Sequence, residues 1–191
     1  MHISTIITSL ALFGTAFSAP ALSSRATACF VIGNTALPAE VQDSVDSIQS
    51  AVTCDTSKTT LSGVPDVSSG GIAFSSIDFS QSTQSPLTFA LSTFATATPL
   101  ASTNLTLFQN QLNTYLATEA GIRSVGGNLA IKAPKFFQSF QIARILTAQG
   151  TTITDPGQTV EHLLGKVIKN AGSAETQATK DEITALASVL S

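Results

Sequence analysis

Between Lys58 and Arg123 the sequence carries no lysine or arginine and only three acids, Asp66, Asp78 and Glu119. A segment so poor in charge has little to keep it solvated as an open coil. It must bury its apolar residues and present hydroxyls outward, and serine and threonine do dominate from Thr56 to Thr106. Three stretches here read as extended: Thr59 to Val64, Gly71 to Phe79, and Pro86 to Phe94. In the third, Leu87, Phe89 and Leu91 alternate onto one face. In the second the phase slips between Ile72/Phe74 and Ile77/Phe79, and a bulge near Ser75-Ser76 would bring all four to one side. The segment Ser80 to Ser85 would then join two antiparallel strands. Threonine favours strands and short polar residues decorate turns. O-glycosylation near Thr93–Thr103 is a second reading of the same residues. An ice-binding face would need a regular T-x-T repeat, and none is present. A glycan-binding face would want an aromatic platform, whereas Trp is absent and Tyr115 is the sole tyrosine.

The chain on either side is helical in pattern. Val41, Val45, Ile48 and Val52 repeat at helical spacing after Pro38, which suits a first helical position. This stripe lies between the only two cysteines, Cys29 and Cys54. An even, isolated pair in an oxidising compartment forms one disulfide. A strand-like ACFVI enters the loop and Cys54 closes it.

After the base-free stretch, Leu105, Phe108, Leu112, Tyr115 and Leu116 form a stripe, with Ser102, Thr103 or Asn104 as cap and Gly121 as stop. Leu129 to Ile131 reads as a short strand. Phe136, Phe137, Phe140, Ile142, Ile145 and Leu146 cover too broad an arc for a surface helix. Asp155-Pro156-Gly157-Gln158 reads as a helix start, with Val160, Leu164, Val167 and Ile168 facing inward. Ser173 would cap a last helix that buries Ile183, Leu186 and Leu190. The order predicts an α+β fold: an N-terminal disulfide-tied helix, a small antiparallel sheet and a C-terminal helical cluster.

The first 18 residues read as a signal peptide. The apolar core Ile6 to Phe13 is too short to span a bilayer, and Ala16 and Ser18 are the small residues expected before a cut. Residues 19–28 would be a flexible or processed segment, with a second cut after Arg25 as one option, and residues 29–191 a single domain. No later stretch is long and apolar enough for a membrane span, and Asn104-Leu105-Thr106 is an N-glycosylation sequon. The whole chain has a formal net charge of −3 and only 11% charged residues, against ~25% in an ordinary domain. This excludes a basic nucleic-acid binder, and two cysteines exclude a multi-cysteine zinc site.

Chemistry-bearing residues are few. His162 is the sole histidine beyond the leader, with Glu161, Lys166 and Lys169 on its helix, but HEXXH is absent and no metal or cofactor is expected. Asp66 and Asp78 are the candidates for a carboxylate pair or for partners of His162. No G-x-S-x-G elbow and no Walker loop occurs. A cluster of bases follows Glu119: Arg123, Lys132 and Lys135, with Arg144 beyond. This suggests an anionic ligand site, whereas Glu119 and Arg123 at i,i+4 also fit a plain helix-end ion pair.

The motif Cys29-Phe30-Val31-Ile32-Gly33-Asn34 and the segment Tyr115 to Ser124, YLATEAGIRS, resemble an uncharacterised family of small secreted fungal proteins. The resemblance implies secretion and contact with a host or cell surface, and it brings no catalytic residues with it. The expected function is therefore a secreted noncatalytic interaction protein, effector-like, with a protein or cell-wall glycan as partner. The alternatives are a small secreted hydrolase, or an extracellular binder of a small apolar or anionic ligand.

Overall fold

The computed structural model describes residues 28–190. The signal peptide and the cut after Arg25 lie outside the described residues. The fold is α+β. Helix α1 (Ala39–Ile48) precedes a three-stranded antiparallel sheet of β1 (Val52–Thr59), β2 (Pro65–Ser69) and β3 (Ile72–Ala73), in the order β1-β2-β3. Helices α2 (Pro86–Thr93), α3 (Leu105–Ser124), α4 (Lys132–Ala148), α5 (Val160–Asn170) and α6 (Gln177–Leu186) complete it.

Cys29 and Cys54 form the expected disulfide. The residues around Cys29 are a turn rather than a strand, and they dock on α3 instead of on the sheet. Phe30 is fully buried, and Ser124 Oγ accepts hydrogen bonds from the Ile32 and Gly33 amides at 3.2 and 2.9 Å. Cys54 lies in β1 and so ties this segment to the sheet. Val41, Val45 and Ile48 form the buried stripe of α1; Val52, next in the same spacing, opens β1.

The hydroxyl-rich middle departs most from its expected form. Residues Leu61–Gly63 form a 3-10 turn, with Ser62 and Gly63 at positive φ. Only Ile72 and Ala73 of the Gly71 stretch pair with β2. There is no bulge at Ser75-Ser76. Instead the chain coils into 3-10 turns at Phe74–Ser76 and Phe79–Gln81, and this coiling brings Phe74, Ile77 and Phe79 into the core. Asp66 holds the first turn, accepting from the Ser75 amide at 3.0 Å and the Ser75 hydroxyl at 2.5 Å. Asp78 caps the second, accepting from the Ser80 amide at 2.9 Å.

Pro86 to Thr93 is a helix and not a strand. Its buried residues Leu87 and Ala90, with the buried Phe94 just past its end, recur at helical spacing, which the Leu87/Phe89/Leu91 alternation obscures. The helix start is supported from far along the chain. The buried Glu175 accepts from the Leu87 amide at 2.8 Å and from Ser85 Oγ at 2.6 Å. A carboxylate at a helix N-terminus satisfies orphan amides and complements the dipole.

Asn104 caps α3 through its side chain, accepting from the Leu107 amide. The helix then runs through Gly121 to Ser124 and stops where Gly126 takes φ +70°. Gly121 serves as a point of close approach: a Cβ there would sit 2.5 Å from the Phe30 carbonyl oxygen and 2.6 Å from Val64. Alanine would gain about 1 kcal/mol of helix propensity, but it would force backbone apart. Gly121→Ala should therefore lose about 1–3 kcal/mol of stability in urea unfolding.

Leu129 to Ile131 is a turn leading into α4. In α4, Phe137, Phe140 and Ile145 are buried, as is Arg144. The Arg144 guanidinium donates to Gln141 Oε1 and to the Val189 carbonyl, and burial lowers its proton affinity. Residues Pro156–Gln158 form a short 3-10 turn capped by Asp155, and Thr159 caps α5 itself. Leu163 and Val167 are the buried residues of α5. Thr176, not Ser173, caps α6, and Ile183 is its buried anchor. Tyr115 lies in the middle of the core, its ring 5.1 Å from Phe74 and 5.7 Å from Phe94. Its hydroxyl donates to the Ile77 carbonyl at 2.6 Å. Burial, then the nearby Asp78 charge, hold the phenol protonated far beyond its ordinary range.

Candidate functional site

A cleft of about 440 Å³ opens where α1, α3, α4 and the α5 region meet. Helix periodicity builds its walls. On α4, Lys132, Lys135, Phe136 and Ser139 share one face at spacings of three and four. On α5, His162, Lys166 and Lys169 do the same. Leu116, Glu119 and Arg123 come from α3, while Glu40, Val41 and Ser44 come from α1. Val41, Leu116, Phe136 and Leu163 give the cleft an apolar part beside its charges.

Glu119 organises the buried end. Its carboxylate is 2% exposed and accepts on both oxygens: Oε1 from Arg123 Nε and Nη2, each at 2.9 Å, and Oε2 from Lys135 Nζ at 2.5 Å. The expected Glu119–Arg123 pair thus exists, with Lys135 as a third member. Lys135 also lies 4.2 Å from the centre of the Phe136 ring. Burial lowers the Lys135 proton affinity, and the Glu119 charge opposes that shift.

Lys132, Lys166 and Lys169 make no ion pair among the described residues. Five of the chain's nine lysines and arginines therefore line one cleft, against two carboxylates, Glu40 and Glu119. This surplus of three positive charges sits in a protein whose formal net charge is −3. The placement is also unfavourable for helix stability. Lys132 and Lys135 occupy the first turn of α4, where the dipole disfavours cations.

The three anion-site candidates, Arg123, Lys132 and Lys135, are thus brought together, and His162 joins them. Lys166 and Lys169 were visible in the sequence as neighbours of His162, but not as members of the same cluster. Their membership depends on α4 packing against α5. Asp66 and Asp78 do not line this cleft. Asp66 is 3.4 Å from Lys58 and bonded to Ser75, and Asp78 caps a turn, so each carboxylate is committed to backbone shape. No group of three or more His, Cys, Asp or Glu residues among the described residues could hold a metal ion. No helix among them is long and apolar enough to cross a membrane.

A family model described as a domain of unknown function, DUF7143, matches residues 31–191. The chain belongs to the DUF7143 family. No curated protein and no solved structure matches it. The matched region includes all six α-helices of the described residues and the whole cleft, so the cleft lies within the family domain.

Proposed function

We propose that this protein is a secreted, noncatalytic binding protein whose cleft takes a small organic anion. The observation that carries this reading is the gathering of five of nine basic side chains at one concavity of a net-acidic chain. Its volume falls in the range of small-ligand sites, roughly 300–1,000 Å³. The apolar lining gives an organic body a place to rest, and Gln158, with no side-chain hydrogen bond among the described residues, adds a polar group. The carboxylates considered as partners of His162 in hydrolysis, Asp66 and Asp78, are engaged outside the cleft, so His162 lines it without either of them, which favours binding over hydrolysis.

Phenyl phosphate tests the reading directly. Calorimetric titration should show saturable binding that weakens as salt is raised. Reversing Lys132, Lys166 and Lys169 to glutamate should reduce affinity at least about tenfold. The control reversal Lys180→Glu should leave it unchanged. Absence of binding to the unaltered protein would refute the proposal.

Secretion rests on the leader sequence and on the disulfide, which persists in oxidising compartments. The resemblance to small secreted fungal proteins adds a host or cell-surface setting, where the ligand would be presented by a protein or a cell-wall glycan, or be free. Asn104 is exposed, and its side-chain oxygen, not its nitrogen, caps α3. The amide nitrogen is the atom a glycan would occupy, so capping and glycosylation are compatible. Protein secreted from a eukaryotic host should begin at Ala19 and carry a glycan mass that Asn104→Gln removes. An unprocessed N-terminus would contradict secretion, and an unchanged mass would contradict glycosylation at Asn104.

A further inference from the structure

We infer that the cleft selects an organic dianion of the phosphomonoester class over a monoanion of the same shape, a claim that rests on the anion-binding reading above. The argument is a division of labour among the cations. Glu119 engages Arg123 through Nε and Nη2 and engages Lys135 through its other oxygen. The Nε/Nη2 edge of the guanidinium, one of its two edges able to make a two-pronged contact with a ligand carboxylate, is therefore already occupied. Among the described residues, the cleft cations without an ion-pair partner are Lys132 on α4 and Lys166 and Lys169 on α5. Lysine ammonium groups act as point charges, which suits a tetrahedral phosphate with its spread of acceptor oxygens better than a planar carboxylate.

Charge balance gives the same direction. Arg123, Lys132, Lys135, Lys166 and Lys169 face only Glu40 and Glu119, leaving a formal surplus of three. A monoanion would leave two like charges uncompensated in one concavity, whereas a dianion leaves one. The volume admits one small molecule more readily than two. His162, also in the lining, offers ring nitrogens for a hydrogen bond to a phosphate oxygen. The apolar residues Leu116, Phe136 and Leu163 would receive the ester's organic group.

Phenyl phosphate and benzenesulfonate separate the claims. Both carry a tetrahedral anion on a phenyl ring, and at about pH 7.5 they differ by nearly one unit of charge, because a phosphomonoester loses its second proton near pH 6. Calorimetry on the unaltered protein should give about tenfold or more tighter binding of phenyl phosphate, and Lys132→Met with Lys169→Met should compress that ratio toward one. Circular dichroism would establish that the double variant is folded. Equal affinity for the two probes would overturn the dianion claim while leaving the anion site standing. Binding of neither would overturn both.

Discussion

Glu119→Gln should destabilise the domain by about 2–4 kcal/mol, because it removes the counter-charge from two cations at the buried end of the cleft. The glutamine keeps the shape of the side chain but leaves the Lys135 ammonium, whose side chain is only 11% exposed, without an anion. The value lies toward the lower part of the range for broken buried pairs because Lys135 borders the cleft and water can reach it. Removing both charges, as Glu119→Gln with Lys135→Met, should recover much of the loss, since an apolar replacement needs no counter-ion. Urea unfolding followed by circular dichroism suits a chain with no tryptophan. A single substitution with no measurable cost would show that the three-residue cluster contributes nothing to the fold.

The second large effect is expected at the disulfide. Cys29 and Cys54 are separated by 25 positions, and loop-closure entropy for a ring of that size is about 3.5 kcal/mol. Replacing both cysteines with serine should therefore lower the melting temperature by roughly 7–14 °C in a domain of this length. The local consequence is specific. The bridge holds the Phe30–Gly33 segment against Gly121 and Ser124 of α3. Hydrogen exchange at the Ile32 and Gly33 amides should accelerate more than exchange in α5. A uniform loss of protection across the domain would mean that the bridge acts only on the unfolded chain.

The elements that could be read in advance were those with a local cause. The stripe Val41, Val45, Ile48 needs only its own spacing to become α1, and the cysteine pair needs only its isolation. The α+β order followed from these and from the phenylalanine-rich α4. The middle departs from its local pattern because its causes lie elsewhere in the chain. Pro86 to Thr93 alternates like a strand, but Glu175, 88 positions beyond Leu87, caps it as a helix. The Gly71 stretch turns at Ser75 because Asp66, on the neighbouring strand, binds the Ser75 amide and hydroxyl. Gly121 looked like a helix stop, although its absent side chain is required by Phe30, which the disulfide segment brings against it.

The site was legible in half. Arg123, Lys132 and Lys135 stood out as the first bases after a long stretch without any, and Glu119 was matched to Arg123 by helix spacing. Lys135 as the third member of that cluster, and Lys166 and Lys169 as the opposite wall, required the packing of α3, α4 and α5. The uneven charge distribution of the sequence is thus concentrated further in space: five of the nine bases are gathered at one cleft.

The most direct test of that cleft as an anion site is a phenyl phosphate titration of isotope-labelled protein followed by amide and lysine side-chain NMR shifts. The expected result is saturable change confined to Lys132, His162, Lys166, Lys169 and their neighbours on α4 and α5, with Lys58 and Lys180 unmoved. Shifts spread evenly over every lysine, or none at all, would contradict it.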